Sequence, residues 1–129
     1  MSNSRIVLSL VAAVSALVAT AANAAPDRAP CFFLTQWEGW KSPSPDVLYL
    51  GVNMHDVYRV DLAGGSSQLQ APDVHLVSTN RGSSSICSAI DLDLQVADSM
   101  GFSAPLIART LTKLTPEEVA AIPKKFRPN

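Results

Sequence analysis

Three side chains in the second half of the chain could act together in proton transfer or cation binding: His75, Asp91 and Asp93. Asp91 and Asp93 lie two residues apart in an alternating run, so on a strand both carboxylates would face one side, roughly 7 Å apart. That separation suits a bound cation or an acid beside a base. A small hydrolase or lyase is therefore one hypothesis. Our prediction is the other interpretation, a solvated strand face with no catalytic residue.

Metal ligands are sparse. The two histidines, His55 and His75, are twenty residues apart, and neither belongs to a His-x-x-x-His pair. No Asp-x-Asp-x-Asp-Gly loop supplies the six or more oxygens that a hard cation needs. The sequence therefore predicts no metal and no other cofactor.

Aromatic side chains are concentrated early in the chain, with Trp37 and Trp40 only three residues apart. An exposed pair of indoles could stack on sugar rings or anchor a protein partner. A carbohydrate-binding module is therefore a second alternative. Our favoured interpretation places the aromatic side chains in a core around a disulfide, with Trp40 the more exposed of the two.

The N-terminal segment is typical of an export signal. A short positive start ending in Arg5 precedes an uncharged run over 6–22, and Ala22-Asn23-Ala24 supplies small residues for a signal peptidase. We predict a cleavable signal peptide over 1–24, with no stable membrane span after cleavage. An uncleaved anchor is the alternative, because the apolar run lies at the lower limit of bilayer length. The predicted localisation is periplasmic or secreted, in the envelope of a Gram-negative bacterium.

Export changes how the two cysteines are interpreted. In an oxidising compartment, Cys31 and Cys87 are expected to form a disulfide. For the loop that a bond between residues 31 and 87 would close, the chain-entropy model gives a stabilisation of about 4 kcal/mol. A reactive thiol is the alternative, but no Cys-x-x-Cys spacing or adjacent base supports it.

The size and charge of the chain restrict the class of protein. Its 129 residues carry ten Lys+Arg and eleven Asp+Glu, a formal net charge of -1. This balance does not favour nucleic acid as a partner. We expect a flexible lead-in over 25–30, a single domain over 31–123 and a solvated basic tail over 124–129, which contains Lys124, Lys125 and Arg127.

The hydrophobic pattern predicts a mainly β fold. Strands are expected over 47–52 and 57–62, joined as an antiparallel hairpin after a loop over 42–46. Further strands are expected over 74–78, 90–96 and 106–111. Thr115, Pro116 and Glu118 predict the start of a short helix that Pro123 ends. The architecture predicted is a small antiparallel β meander or partly closed barrel with one short C-terminal helix.

Four segments of the chain resemble a family of short exported bacterial proteins whose domain has no assigned function. They are Cys31-Phe32-Phe33, the run over 56–62, Ile86-Cys87-Ser88 followed by Asp91, and the run over 114–118. Members of that family typically carry four cysteines. Two are absent here, at Ser66 and near Leu106, which implies that Cys31 and Cys87 form the remaining bridge. The resemblance implies no catalytic residues.

These observations favour a non-enzymatic exported domain that binds an envelope protein or glycan, or that has a structural role in the envelope. The sequence also shows no convergent set of titratable side chains that would form a catalytic site. From the sequence, the candidate surface for a partner is formed by Trp37 and Trp40.

Overall fold

The computed structural model describes residues 30–79 and 81–128. These residues form eight strands and one short helix: β1 (Phe32–Phe33), β2 (Trp37–Ser44), β3 (Val47–Val52), β4 (Asp56–Ala63), β5 (Val74–Ser78), β6 (Ser85–Ile86), β7 (Leu94–Asp98), β8 (Ser103–Lys113) and α1 (Pro116–Ala121). Single 3-10 turns occur at Leu34–Gln36, Ser67–Gln70, Ala89–Asp91 and Lys124–Phe126. The predicted signal peptide and nearly all of the predicted lead-in lie outside the described residues.

Six strands form one antiparallel sheet in the order β2-β3-β4-β8-β7-β5, which curls until it is nearly closed. β1 and β6 form a separate antiparallel pair. The predicted fold class is confirmed, with mainly β structure, a partly closed barrel and one short helix near the C-terminus. It is not a simple meander, because β8 lies between β4 and β7 and joins the two halves of the sheet.

The core lies inside the curled sheet, where the period-two alternation of the strands directs apolar side chains. On β4, the alternation over 57–62 directs Tyr58, Val60 and Leu62 inward, where they are buried, and Arg59 and Asp61 outward; Val57, which alternation places on the outward face, is also buried. Phe32 of β1 and Ile86 of β6 add to the same core. The Phe32 and Tyr58 rings are 4.7 Å apart between centroids, so the small strand pair covers one part of the barrel interior.

The predicted hairpin is confirmed, because β3 and β4 pair antiparallel from Val47↔Asp61 to Val52↔Asp56. The bounds of β3 and β5 agree with the predicted strands, and β8 is longer at both ends than predicted. The predicted loop over 42–46 is wrong in extent, because β2 continues to Ser44. Proline at position 43 is compatible with β2 because this strand forms one edge of the sheet. On the free side of an edge strand no neighbouring strand needs a hydrogen bond from the N–H that proline lacks.

The predicted strand over 90–96 is also wrong in its first half. A 3-10 turn occupies Ala89–Asp91, and β7 begins only at Leu94. Leu92, Leu94 and Val96 are buried as predicted, but Ile90 is 90% exposed. The alternation fails at Ile90 because the Asp91 carboxylate accepts backbone hydrogen bonds locally and so stabilises a turn in place of the strand.

The predicted disulfide is present between Cys31 and Cys87. Cys31 immediately precedes β1 and Cys87 immediately follows β6, and Phe32 pairs with Ile86 in the next register position. The disulfide therefore fastens the end of the small strand pair next to the turn at Ala89–Asp91.

The predicted capping box of α1 is confirmed. Thr115 Oγ1 accepts from the Glu118 N–H at 3.2 Å, and the Glu118 carboxylate accepts from the Thr115 N–H at 2.8 Å. The other end differs from the expected solvated tail. Arg127 donates hydrogen bonds to the carbonyl oxygens of Val119, Ala120 and Ile122, so its cation satisfies the exposed C-terminus of the helix.

Candidate functional site

The candidate site is built around Ile90, which occupies the turn between the disulfide and β7. At 90% exposure, Ile90 is the most exposed large apolar side chain of the described residues. The turn beneath it is well fastened, because Asp91 Oδ2 accepts from the Cys87 N–H at 2.9 Å, the Ser88 N–H at 2.8 Å and Ser88 Oγ at 3.0 Å. Cys87 is in turn disulfide bonded to Cys31. Ile90 is thus presented to solvent on a constrained backbone.

Ile90 borders an open, mainly apolar groove of about 420 Å³. The groove lies where the chain at 89–92 separates from β8, so that β7 pairs with β8 only from Leu94↔Leu106 onward. Leu92 and Leu106 are its buried lining residues, and Ile107, 67% exposed, lines the groove together with Ile90. Two exposed isoleucines that line one groove form an apolar patch rather than scattered surface residues.

Arg109 gives the groove a single cationic side chain. In the pairing of β4 with β8, Asp61 lies opposite Thr110 and Leu62 lies opposite Ala108, so Arg109 is an extra residue in a β-bulge. A bulge redirects the side chains of the strand that contains it. The bulge therefore places an exposed guanidinium beside an apolar surface.

The groove continues into an uncharged part of the outer sheet surface. The side chains that face outward from β5, β7 and the first half of β8 include no Asp, Glu, Lys or Arg: His75, Val77, Gln95, Ala97, Ser103, Pro105 and Ile107. The outward face of β4 instead carries Arg59 and Asp61. The sheet thus has one polar, charged half and one uncharged half, and the groove lies at the end of the uncharged half.

The charged half contains a small hydrogen-bonded network. Arg59 and Asp61 form an ion pair at 2.8 Å, and Thr110 Oγ1 donates to Asp61 at 2.8 Å. Partial burial of Asp61 acts to raise its pKa, but the hydrogen bonds from Arg59 and Thr110 and the charges of Arg59 and Arg109 outweigh it, so the pKa lies below its ordinary value. This network ties β4 to β8 and leaves Asp61 ionised.

The three residues of the hydrolase hypothesis are not brought together. His75 is exposed on β5 opposite Ala97, four residues along β7 from Asp93, which corresponds to about 13 Å along a strand. Asp93 forms an ion pair with Arg81. The Asp91 carboxylate accepts a hydrogen bond from the Ser88 N–H within its own 3-10 turn. The expected placement of both carboxylates on one strand face is wrong, because Asp91 lies in the 3-10 turn.

Over residues 30–79 and 81–128, no three His, Cys, Asp or Glu side chains are grouped closely enough to hold a metal ion. In the same residues, no helix combines the length and the apolar character needed to cross a membrane.

Trp37 and Trp40 are both half-buried and pack against the core. The Trp37 indole N–H donates to the Gly39 carbonyl at 2.9 Å, so its polar atom is engaged within β2. Packing against the core covers part of each indole and reduces the ring surface that a sugar could contact.

Sequence reasoning did not identify Ile90, Ile107 or Arg109 as parts of one site. The alternation over 90–96 assigned Ile90 to the buried face. The one available signal was Ser88 followed three residues later by Asp91, a capping pattern that also occurs at turns. Nothing in the residues around Arg109 indicates a bulge.

Comparison of the chain with family models, with curated proteins and with solved structures found no match. The resemblance to a family of exported bacterial proteins accordingly stays a prediction.

Proposed function

We propose that this protein is exported and acts as a binding domain in the bacterial envelope, with no catalytic role of its own. The partner surface that we assign is the groove between Ile90 and Ile107, with Arg109 beside it. This replaces Trp37 and Trp40 as the favoured surface, because both indoles pack against the core.

The observation that carries the proposal is the constrained exposure of Ile90. Leaving a large aliphatic side chain in water forgoes the roughly 1.5–3 kcal/mol that its burial contributes. Here the exposed side chain belongs to a turn held by three hydrogen bonds to one carboxylate and by a disulfide next to it. A rigid apolar projection beside an apolar groove reduces the entropy lost on binding, which favours recognition of a partner.

Export is supported by the disulfide together with the predicted signal over 1–24. Disulfides persist in oxidising compartments and are rare in the bacterial cytosol. The Cys31–Cys87 bond constrains the segment that presents Ile90, so the proposed binding surface depends on the same compartment. The periplasm of a Gram-negative cell is the location that we propose.

The binding function is tested by comparing the wild-type protein with two matched variants. Ile90→Ser removes the exposed side chain of the groove, and Met54→Ser removes an apolar side chain that is 74% exposed in the β3–β4 turn. Envelope components retained by the wild-type protein and by Met54→Ser should be lost with Ile90→Ser. Equal retention by all three proteins would refute the assigned surface.

The location is tested separately by fractionating cells that express the full chain. The expected result is a periplasmic protein whose first residue is Ala25 and whose two cysteines resist alkylation until a reductant is added. A cytosolic protein with Met1 retained and both thiols reactive would refute export.

A further inference from the structure

We propose that the groove is a self-association surface, with Ile90 of each copy seated in the groove of a second copy around a two-fold axis. This inference rests on the proposed function, because it names a second copy of the chain as a partner of that surface.

The projecting side chain lies beside the groove of its own copy. Ile90 lines the groove and is also the most exposed large apolar side chain of the described residues. In a two-fold contact the same patch serves both subunits, so a projection must lie next to the depression that receives it. The arrangement of Ile90 beside the groove meets this condition, and each copy would both donate and receive one isoleucine.

Opposite charges lie on the two parts of the surface that would meet. Ile90 is followed directly by Asp91, and the groove has Arg109 as its cationic side chain. Seating Ile90 in the second copy's groove therefore brings an acidic residue towards an arginine, twice in each dimer. Asp91 holds its own turn through hydrogen bonds to its Oδ2 atom, and its negative charge adds to the field that the second copy's guanidinium meets.

The surface around the contact carries few unpaired charges. The outward side chains of β5 and β7 include no Asp, Glu, Lys or Arg, and Arg81 and Asp93 nearby form an ion pair with each other, so two copies can approach there with little like-charge repulsion. A contact made by two isoleucines and the lining of their grooves is expected to bury less than the roughly 800 Å² per partner of a standard interface. The dimer is therefore expected to be weak and concentration-dependent, with a Kd on the order of 10 µM to 1 mM.

The decisive experiment is sedimentation velocity of the disulfide-bonded protein, produced with its own N-terminal segment. The protein concentration is raised to about 1 mM, the upper end of the expected Kd range. The wild-type protein should shift from monomer to dimer as its concentration rises. Ile90→Ser should raise the dissociation constant about tenfold or more. Met100→Ser, which alters an apolar side chain that is 82% exposed in the β7–β8 turn, should leave it unchanged.

A cross-linking experiment tests the orientation of the two copies. Ile90→Cys and Ile107→Cys are made as separate proteins and mixed under mild oxidation. The proposed contact predicts a disulfide-linked heterodimer that Met100→Cys, mixed with Ile107→Cys, does not form. Thermal unfolding of each variant checks that the fold is intact, which is expected because Ile90 and Ile107 are exposed.

A wild-type protein that stays monomeric to about 1 mM, the weakest association expected from so small a surface, would overturn the inference. A dimer that persists unchanged in Ile90→Ser would overturn it as well. If the monomeric protein still retains envelope components through Ile90, self-association fails while the proposed binding function stands. If Ile90→Ser alters neither dimerisation nor retention, both fail.

Discussion

Asp91 accepts a hydrogen bond at 2.9 Å from the backbone N–H of Cys87, the residue whose sulfur is bonded to Cys31. This contact joins the covalent cross-link of the domain to the turn that presents Ile90. An aspartate that the sequence placed on a solvated strand face is thereby a structural residue of the candidate binding surface.

Asp91→Ala is expected to loosen the turn while leaving the barrel folded. Three donors, the N–H groups of Cys87 and Ser88 and the Ser88 hydroxyl, lose their acceptor, which costs about 1–2 kcal/mol for an exposed cap of this kind. Hydrogen exchange at Cys87 and Ser88 should accelerate, and binding through Ile90 should weaken. Asp93→Asn is the control, and equal exchange in both variants would contradict the role of Asp91.

Replacing both cysteines by serine is expected to lower the free energy of unfolding by about 4 kcal/mol, a large fraction of the stability of a small domain. The reason is that the unfolded chain gains the freedom that a bond across a separation of 56 residues removes. Urea unfolding of Cys31→Ser/Cys87→Ser should match that of the reduced wild-type protein. A loss below about 1 kcal/mol would show that the bond contributes little, contrary to the entropic estimate.

Asp61 is expected to stabilise the fold at neutral pH and to lose this effect in acid. Its pKa in the folded state lies below its ordinary value, because hydrogen bonds from Arg59 and Thr110 outweigh the opposing effect of burial. The contribution is therefore present above the unfolded pKa of about 3.9 and lost as the pH falls through the folded value. Asp61→Asn should be less stable by up to about 1 kcal/mol at pH 7, since the pair is partly exposed.

The measurement for Asp61 is urea unfolding of the wild-type protein and of Asp61→Asn as the pH is lowered from neutral. The difference between the two proteins should shrink below about pH 4, where the unfolded carboxyl begins to bind a proton. Asp73→Asn, at an exposed turn position, serves as the control. A difference that stays constant with pH would contradict the assignment.

Tyr58→Phe is expected to destabilise the domain at neutral pH by about 1 kcal/mol, because the phenol donates a 2.8 Å hydrogen bond to the Pro30 carbonyl. Burial raises the pKa of Tyr58, and the charge of Asp56 raises it further, against the opposing charge of Lys113. The unfolded chain therefore loses the proton first, and wild-type stability should fall as the pH rises above about 10.

Unfolding followed at alkaline pH separates these two effects. Above about pH 10, Tyr58→Phe should lose less stability than the wild-type protein, because it lacks the contribution of Tyr58. Tyr49→Phe, at a half-buried outward position of β3, should lose stability as the wild-type protein does. If both variants lose stability in parallel with the wild-type protein above pH 10, Tyr58 does not contribute as stated.

Arg127→Met is expected to destabilise the C-terminal helix by about 1 kcal/mol, because the carbonyls of Val119, Ala120 and Ile122 lose a charged donor. Amides of α1 should exchange faster, and the unfolding temperature should drop. Lys124→Met is the control because Lys124 is exposed. An identical effect of both substitutions would indicate a loss of general charge rather than of the cap.

Local residue patterns determined most of the sheet. The run over 47–52 is rich in β-forming residues, the run over 57–62 alternates, and turn residues lie between them, so the β3–β4 hairpin was predictable from adjacent residues alone. The capping box at Thr115 and Glu118 was predictable for the same reason, since both partners lie within one turn of each other. The disulfide was predictable because the chain has only two cysteines and its first residues predict export.

The candidate site depends on contacts between distant parts of the chain. Ile90 and Ile107 face one groove only because β8 changes its partner from β7 to β4 at that point. Arg109 is directed towards the groove by a bulge whose register is set by pairing with β4. Alternation describes how one strand divides its side chains between two faces, but it does not contain the register between strands, which arises from the packing of the whole sheet. The residues of each strand were therefore determined locally, whereas the surface that they form together was decided by the tertiary structure.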